Sequence, residues 1–286
     1  MISLRTQTAP IESVSRAPAK ALAVSLEPIV GLLRAVVLSL GGLAGVGVFW
    51  ALVSAYVATD LPGPAATFDV FWEMVTNPFY DNGPNDKGIG LQLFASLQRV
   101  MIGFSIGTMI AVPIGVLIGI NRVLHTVLDP VIQIMRPVSP LAWFPVGLVT
   151  FQSAPDATVF IICITSLWPT VINTAFGAGS VPQAHKNVAR VFQFSKSQYF
   201  YRVVLPYSLP YIVTGMRLSM GIAWMVIVAG EMLSGSTGIG FFVWDSWNSL
   251  SLERVISAIV LIGLVGVLLD RVFALLLSRV AYGEAA

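Results

Sequence analysis

The sequence predicts an all-α membrane protein with about six transmembrane helices, and three observations carry that expectation. Apolar residues make up 56% of the chain and charged residues only 10%, where a soluble domain carries about a quarter charged residues. Several apolar runs reach ~20 residues, the length that a hydrocarbon core of ~30 Å demands. The 286 residues then leave room for about six such spans and one sizeable loop, with no large soluble domain besides.

Residues 1–34 read as a tail that ends in an amphipathic stretch interrupted by Pro10, Pro18 and Pro28. The first span is expected at residues 35–58, which contain no charge and include Gly41, Gly42, Gly45 and Gly47. Residues 59–92 hold Asp60, Asp69, Glu73, Asp81 and Asp86 against the single Lys87. Four prolines there, Pro62, Pro64, Pro78 and Pro84, predict a loop without regular structure.

The core of the protein is expected over residues 93–281, ahead of a short tail at 282–286. Its first span, 93–120, carries Gly103, Gly107, Ala111, Gly115 and Gly119 at every fourth position, a stripe that lets a neighbouring backbone approach closely. Pro113 is expected to bend it. Residues 124–151 contain Pro130, Pro137, Pro140 and Pro145, so a broken element is predicted. Irregular backbone at membrane depth is tolerated only beside protein or a water-filled path, which makes RPVSPLAWFP at 136–145 a candidate gate segment or a packed helix break. Further spans are expected at 158–179 with a kink at Pro169, at 211–233, and at 254–281 with Asp270 and Arg271 near its end.

Basic residues orient the chain, because cytoplasmic loops collect Lys and Arg. Residues 181–217 contain Lys186, Arg190, Lys196, Arg202 and Arg217 and no acidic residue, so this loop is expected in the cytoplasm. Both termini then fall on the cytoplasmic side, and the acidic 59–92 loop falls outside. Arg217 and Glu231 are expected to snorkel to opposite interfaces or to pair between helices. The single Cys163 reads as a small buried apolar residue, and His125 and His185 have no metal-ligand spacing, so no metal is expected. A net charge of +2 gives no reason to expect nucleic acid.

A loop of some 30 residues is long for a helical bundle, which points to a binding role for 181–210. It reads as a short helix over 183–192, a turn through Gln193, Ser195, Lys196 and Ser197, a second helix over 198–203 and a stop at Leu205-Pro206. Phe192, Phe194, Tyr199, Phe200 and Tyr201, expected to be exposed, alternate with basic residues, a pattern suited to insertion into a groove on another protein or to lying on anionic lipid.

The loop is similar to the cytoplasmic signature of binding-protein-dependent ABC importer permeases. Aligned on Leu205-Pro206, the signature's Ile position is Val203, its Gly is Gln193 and its Glu-Ala-Ala is Asn187-Val188-Ala189. The likeness extends over about residues 79–279 and resembles the nitrate transport permeases. It runs through FYDNGPNDKGIG (79–90), RPVSPLAWFPVGLV (136–149), NVARVFQFS (187–195), LPYIVTGMRLSMGIAW (209–224) and GEMLSGSTGIGFFVWDSWN (230–248).

That resemblance implies the type I importer permease (MetI-like) fold in a bacterial inner membrane and import of a small inorganic anion, nitrate or nitrite, by alternating access. Related permeases for bicarbonate, cyanate, taurine or other sulfonates look similar. It implies a homodimer, two cytoplasmic ABC ATPase subunits that use ATP and Mg, and an extracytoplasmic substrate-binding protein or domain. The chain has no phosphate-binding GxxxxGK[ST] motif of its own. Coupling to the ATPases is expected from Asn187, Ala189, Arg190, Phe192, Gln193, Phe194, Ser195, Lys196, Tyr199, Leu205 and Pro206. Ser139, Trp143, Trp168 and Asn173 are candidates to line the path, because hydroxyl, amide and indole donors hold a monovalent anion without trapping it. An ion-gradient-driven transporter is the rival reading, and it would need mid-span carboxylates where only Glu231 and Asp129 offer themselves.

Overall fold

The structure is a computed structural model that describes residues 27–58, 60–83 and 86–280, without the side chains of 27–30 and 32. The expected tails fall largely outside these residues. The described chain is helical throughout apart from connecting turns and one isolated bridge between Asp81 and Lys87. It divides into two units at Val53–Ser54. The first consists of most of helix α1 (Glu27–Tyr56), whose stretch Leu33–Tyr56 is long and apolar enough to cross a bilayer. Helix α1 runs unbroken through Pro28, which lies in its first turn, where the missing N–H costs nothing.

The second unit begins with helix α2 (Pro64–Thr76), in a region expected to lack regular structure. The prolines do not break this helix but bound it. Pro64 is its first residue behind the N-cap Gly63, and Pro78 follows the C-cap Asn77. Phe68 and Trp72 stack one turn apart, and the Ser257 hydroxyl donates to the carbonyl of buried Thr67, tying α2 to the last helix.

Helix α3 (Ile89–Ile120) continues through Pro113. It is followed by α4 (Arg122–Met135), a 3-10 turn (Pro140–Trp143) and α5 (Phe144–Phe151). Here α4 and the following pair meet at a bend of 93°. Helix α6 (Ala154–Gly179) starts under the Ser153 N-cap, and a short α7 (Gln183–Val191) and α8 (Lys196–Tyr199) lead into α9 (Leu205–Ser234). Helix α10 (Ile239–Asn248) precedes α11 (Leu252–Val280). Among the described residues, five helices are long and apolar enough to span a membrane, and the bent pair makes a sixth when counted as one span.

The expected stop at Leu205-Pro206 is corrected. The chain stays helical from Lys196 to Ser234, and a π turn at Phe200–Val204 immediately precedes Pro206. Widening the helix there accommodates a residue that has no N–H to give.

Helix α6 is the centre of the unit, packed between α3 and α9, with α11 and α10 backing α9. The small-residue stripe of α3 faces α6. A Cβ at Gly103 would stand 2.7 Å from the Val159 carbonyl oxygen, one at Gly107 2.6 Å from that of Cys163, and one at Gly115 2.8 Å from that of Val171. Ala111 is fully buried, and Gly119 lies against the Ala175 carbonyl. Inside lipid, where no hydrophobic drive pulls helices together, such close approach supplies the dispersion contacts. On the other face of α6 the hydroxyls of Thr170 and Ser219 are 2.8 Å apart, and Ser219 Oγ donates to the Ser166 carbonyl at 2.7 Å. Cys163, expected buried, is half-exposed on this unit.

Candidate functional site

The bend after α4 opens a cavity of about 460 Å³ against α6 and α9. Three of the four side chains expected along a path line it: Ser139 from the bend, and Trp168 and Asn173 from α6. Proline makes the opening. With Pro137 and Pro140 the chain cannot carry α4 straight on, so Arg136 to Ser139 turn away and leave space where a helix would have been. The Asn173 side-chain amide donates to the Pro169 carbonyl at 2.8 Å, which fixes the side chain on the wall of the cavity. Trp143 does not line this cavity. It packs instead with buried Phe144, Ala157 and Ile161.

Two lining groups were not singled out from sequence. Thr165 contributes the polar floor, although its hydroxyl is engaged with the Ile161 carbonyl at 2.6 Å. Among the described residues Arg136 is the only cation lining the cavity. Among the described residues its guanidinium has no hydrogen bond or ion pair. An uncompensated cation within a membrane-spanning element is costly and is tolerated where it meets water. A second cavity of about 440 Å³ lies between α3, α4 and α6, shares Ile172 with the first, and carries His125 and Asp129 of α4. Asp129 accepts a hydrogen bond from the Gln133 amide at 2.6 Å.

A different cluster ties α3 to α9 and α10. Of its two expected fates, snorkelling or pairing between helices, Glu231 takes the second: it is fully buried, and its carboxylate accepts from Arg99 at 2.7 Å, from Ser96 at 2.7 Å and from the Gly240 backbone N–H at 3.0 Å. Arg99 also donates to the Thr237 carbonyl. Gln92 accepts from the Gly238 N–H at 2.7 Å and Ser96 from the Ile239 N–H at 2.8 Å. Any Cβ at Gly238 would collide with the Glu231 carboxylate, so glycine at that position is what lets the backbone donors close in. Gln92, Ser96 and Arg99 recur at helical spacing on one face of α3, a polar stripe that could have been found from sequence. Arg217, likewise expected to snorkel or to pair between helices, makes a two-pronged ion pair with Asp270 at 2.6 and 2.7 Å.

The basic loop folds as two short helices around a tight turn. Helix α7 ends in a Schellman arrangement, in which the Phe194 N–H reaches the Ala189 carbonyl at 2.9 Å and the Gln193 N–H reaches that of Arg190 at 3.1 Å. This geometry requires a left-handed residue, and Gln193 takes it at φ 50°. Gln193 aligns with the signature's glycine. Ser195 and Gln198 then form a reciprocal capping box at the start of α8.

The aromatic residues of the loop divide. Phe192 and Tyr201 are exposed at 70% and 64%. Phe194 is half-buried, with Arg202 5.9 Å from its ring centre. Tyr199 and Phe200 turn inward onto buried Val116, Ala178, Val181 and Val204, so the expectation that all five are exposed is corrected. That inward packing anchors the loop to the ends of α3 and α6. Ala189 is buried on the inner side of α7; Asn187 and Gln183 hydrogen-bond at 3.2 Å; Arg190 and Lys196 are exposed. Among the described residues no group of His, Cys, Asp and Glu is placed to hold a metal ion.

Comparison with known proteins fits this geometry. Residues 87–282 match the family of binding-protein-dependent transport system inner membrane components. The chain is 45% identical over 237 residues to the nitrate import permease protein NrtB of Synechocystis sp., covering 83% of this chain and 86% of that protein. It is 46% identical over 245 residues to the bicarbonate transport system permease protein CmpB of Synechococcus elongatus, covering 85% and 88%. In fold it resembles a chain of the inward-facing MetNI methionine ABC transporter, with a TM-score of 0.59 at 15% identity over 66% of this chain and 94% of that one. The chain therefore belongs to the inner-membrane permease family of binding-protein-dependent ABC importers, as a membrane-spanning transport subunit rather than an ATPase.

Proposed function

We propose that this permease imports nitrate, and nitrite with it, through the cavity at the break after α4. The observation that carries the reading is the convergence of Arg136, Ser139, Trp168 and Asn173 on one space within the spans. One unpaired cation with neutral donors suits a small monovalent anion: the charge draws it in, and the donors orient it without a second charge to hold it. The relatives support this range, since nitrate and bicarbonate are both small, planar and singly charged. The likeness to the bicarbonate permease makes bicarbonate the second reading.

In this reading the basic loop is cytoplasmic, both termini are cytoplasmic, and the bent pair is one crossing of a bacterial inner membrane. Arg136 then lies ~20 Å along α4 from its cytoplasmic start, close to the membrane centre. Two copies of the chain enclose one path, a binding protein delivers the anion from outside, and two ATPases grip the turn from Phe192 to Tyr199. Exposed Val191, Phe192 and Lys196 offer an apolar anchor with a basic rim for that contact. ATP-driven closure shifts the helices between inward-facing and outward-facing states because the ATPases contact the turn differently in each.

Reconstitution with the ATPases and binding protein in proteoliposomes tests this. ATP-dependent uptake of labelled nitrate is expected, with nitrite competing more strongly than bicarbonate, cyanate or taurine. Stronger competition by bicarbonate would favour the second reading. Uptake that persists without ATPases and collapses with the ion gradient would overturn the importer reading.

A further inference from the structure

A third cavity lies apart from the proposed path, between the start of α9 and the end of α11. Its volume is about 720 Å³, and it is lined by His185, Arg202, Tyr207, Tyr211, Thr214 and Leu277, with Val280 from the last turn of α11. Arg202 sits in the middle of the π turn, a local widening that recurs at functional sites. Thr214 lies eight residues beyond Pro206, ~12 Å further along the helix at 1.5 Å per residue. The space therefore begins at a basic rim and runs up into the spans beside the aliphatic wall of α11.

Among the described residues the rim has no counter-charge. Among the described residues the Arg202 guanidinium makes no hydrogen bond or ion pair and meets only the Phe194 ring at 5.9 Å. His185 meets the Tyr207 ring, with centres 6.3 Å apart. No acidic residue occurs between Asp156 and Glu231. An unpaired cation at an interface with tyrosines beside it and an apolar extension behind it matches the parts of one amphiphile, a phosphate head on an acyl chain.

We propose that this cavity holds an anionic glycerophospholipid of the cytoplasmic leaflet, its phosphate against Arg202 and His185 and one acyl chain rising past Tyr211 and Thr214. A free anion in solution would use the rim but has no use for the ~12 Å extension. A soluble protein could not reach into it. The lipid sits directly beneath the turn assigned to the ATPases, so it would brace the base of that turn. The assignment rests on the cytoplasmic placement of the loop, though not on which anion is transported.

The full chain purified with its ATPases from membranes containing phosphatidylglycerol and phosphatidylcholine provides the test, with retained lipid counted by native mass spectrometry. Wild type is expected to retain phosphatidylglycerol over phosphatidylcholine. Arg202→Gln should lower that retention about fivefold, the effect of one basic residue near an anionic surface. Thr214→Trp, which fills the inner end and leaves the charges alone, should also lower it. Lys186→Gln, next to His185 but outside the cavity, should not. Equal retention in wild type and both cavity variants, an equal loss in Lys186→Gln, or displacement of the lipid by inorganic phosphate alone would overturn the proposal. Uptake is not part of the readout, so an error in the transported anion would leave this result unchanged.

Discussion

Arg99 and Arg136 are both single cations in apolar helical surroundings, and the molecule treats them in opposite ways. Arg99 is closed in by Glu231 and the Thr237 carbonyl, and the pair is buried to 15% and 0% exposure. Arg136 stands at a helix break with an open cavity in front of it and no partner among the described residues. A charge whose counter-charge is built in can only hold helices together. A charge left open on the proposed path is available to something that passes. The difference lies in the backbone: α3 and α9 are continuous where Arg99 and Glu231 face each other, whereas Pro137 and Pro140 interrupt the chain beside Arg136.

The largest effect that bears on this contrast is expected at the closed pair. Glu231→Ala leaves the Arg99 guanidinium buried without its carboxylate, and loss of one partner of a buried pair costs about 3 kcal/mol or more. A thermal melt of the purified complex should show a clear fall in midpoint, with Glu231→Gln falling less because its one remaining oxygen still accepts from Ser96 and Gly240, although its amide then turns a donor toward Arg99. A midpoint unchanged by Glu231→Ala would remove the structural role. At the open cation, Arg136→Gln should leave the melt in place and lower uptake about tenfold, as expected for loss of ~1.4 kcal/mol of attraction for an anion. The smallest effect is at a position with no charge at stake. Gln193→Gly should stabilise the turn by about 1 kcal/mol, because glycine pays no steric cost at φ 50°. Hydrogen exchange at the Gln193 and Phe194 amides should slow accordingly, and exchange that quickens would contradict the Schellman assignment.

The spans were legible because a bilayer imposes a length and a composition that a sequence must display over ~20 residues at a time. The broken element was legible from its prolines for the same reason that it breaks. What was missed depends on partners distant in sequence. Glu231 is expected to snorkel or to pair between helices, but its partners cannot be named until Arg99 and Ser96, more than 130 positions away, are seen to enclose it. Pro64 and Pro206 read as breakers, yet one opens α2 and the other follows a π turn in an unbroken helix, since a proline's effect depends on its place in the helix. Ser139, Trp168 and Asn173 share a cavity while Trp143, only four residues from Ser139, does not, because a 3-10 turn separates their directions. The rim formed by Arg202 and His185 was legible as basic charge but not as a cavity, which needs α11 to close it.

The central claim is that the open cation serves the passing anion while the closed one serves the fold. ATP-driven uptake of labelled nitrate by reconstituted wild-type, Arg136→Gln and Arg136→Lys complexes, each with its melting midpoint measured on the same preparation, tests it directly. The expected result is uptake lowered about tenfold in Arg136→Gln and largely restored in Arg136→Lys, with all three midpoints alike. Undiminished uptake in Arg136→Gln, or a loss that tracks a fall in midpoint like that of Glu231→Ala, would contradict it.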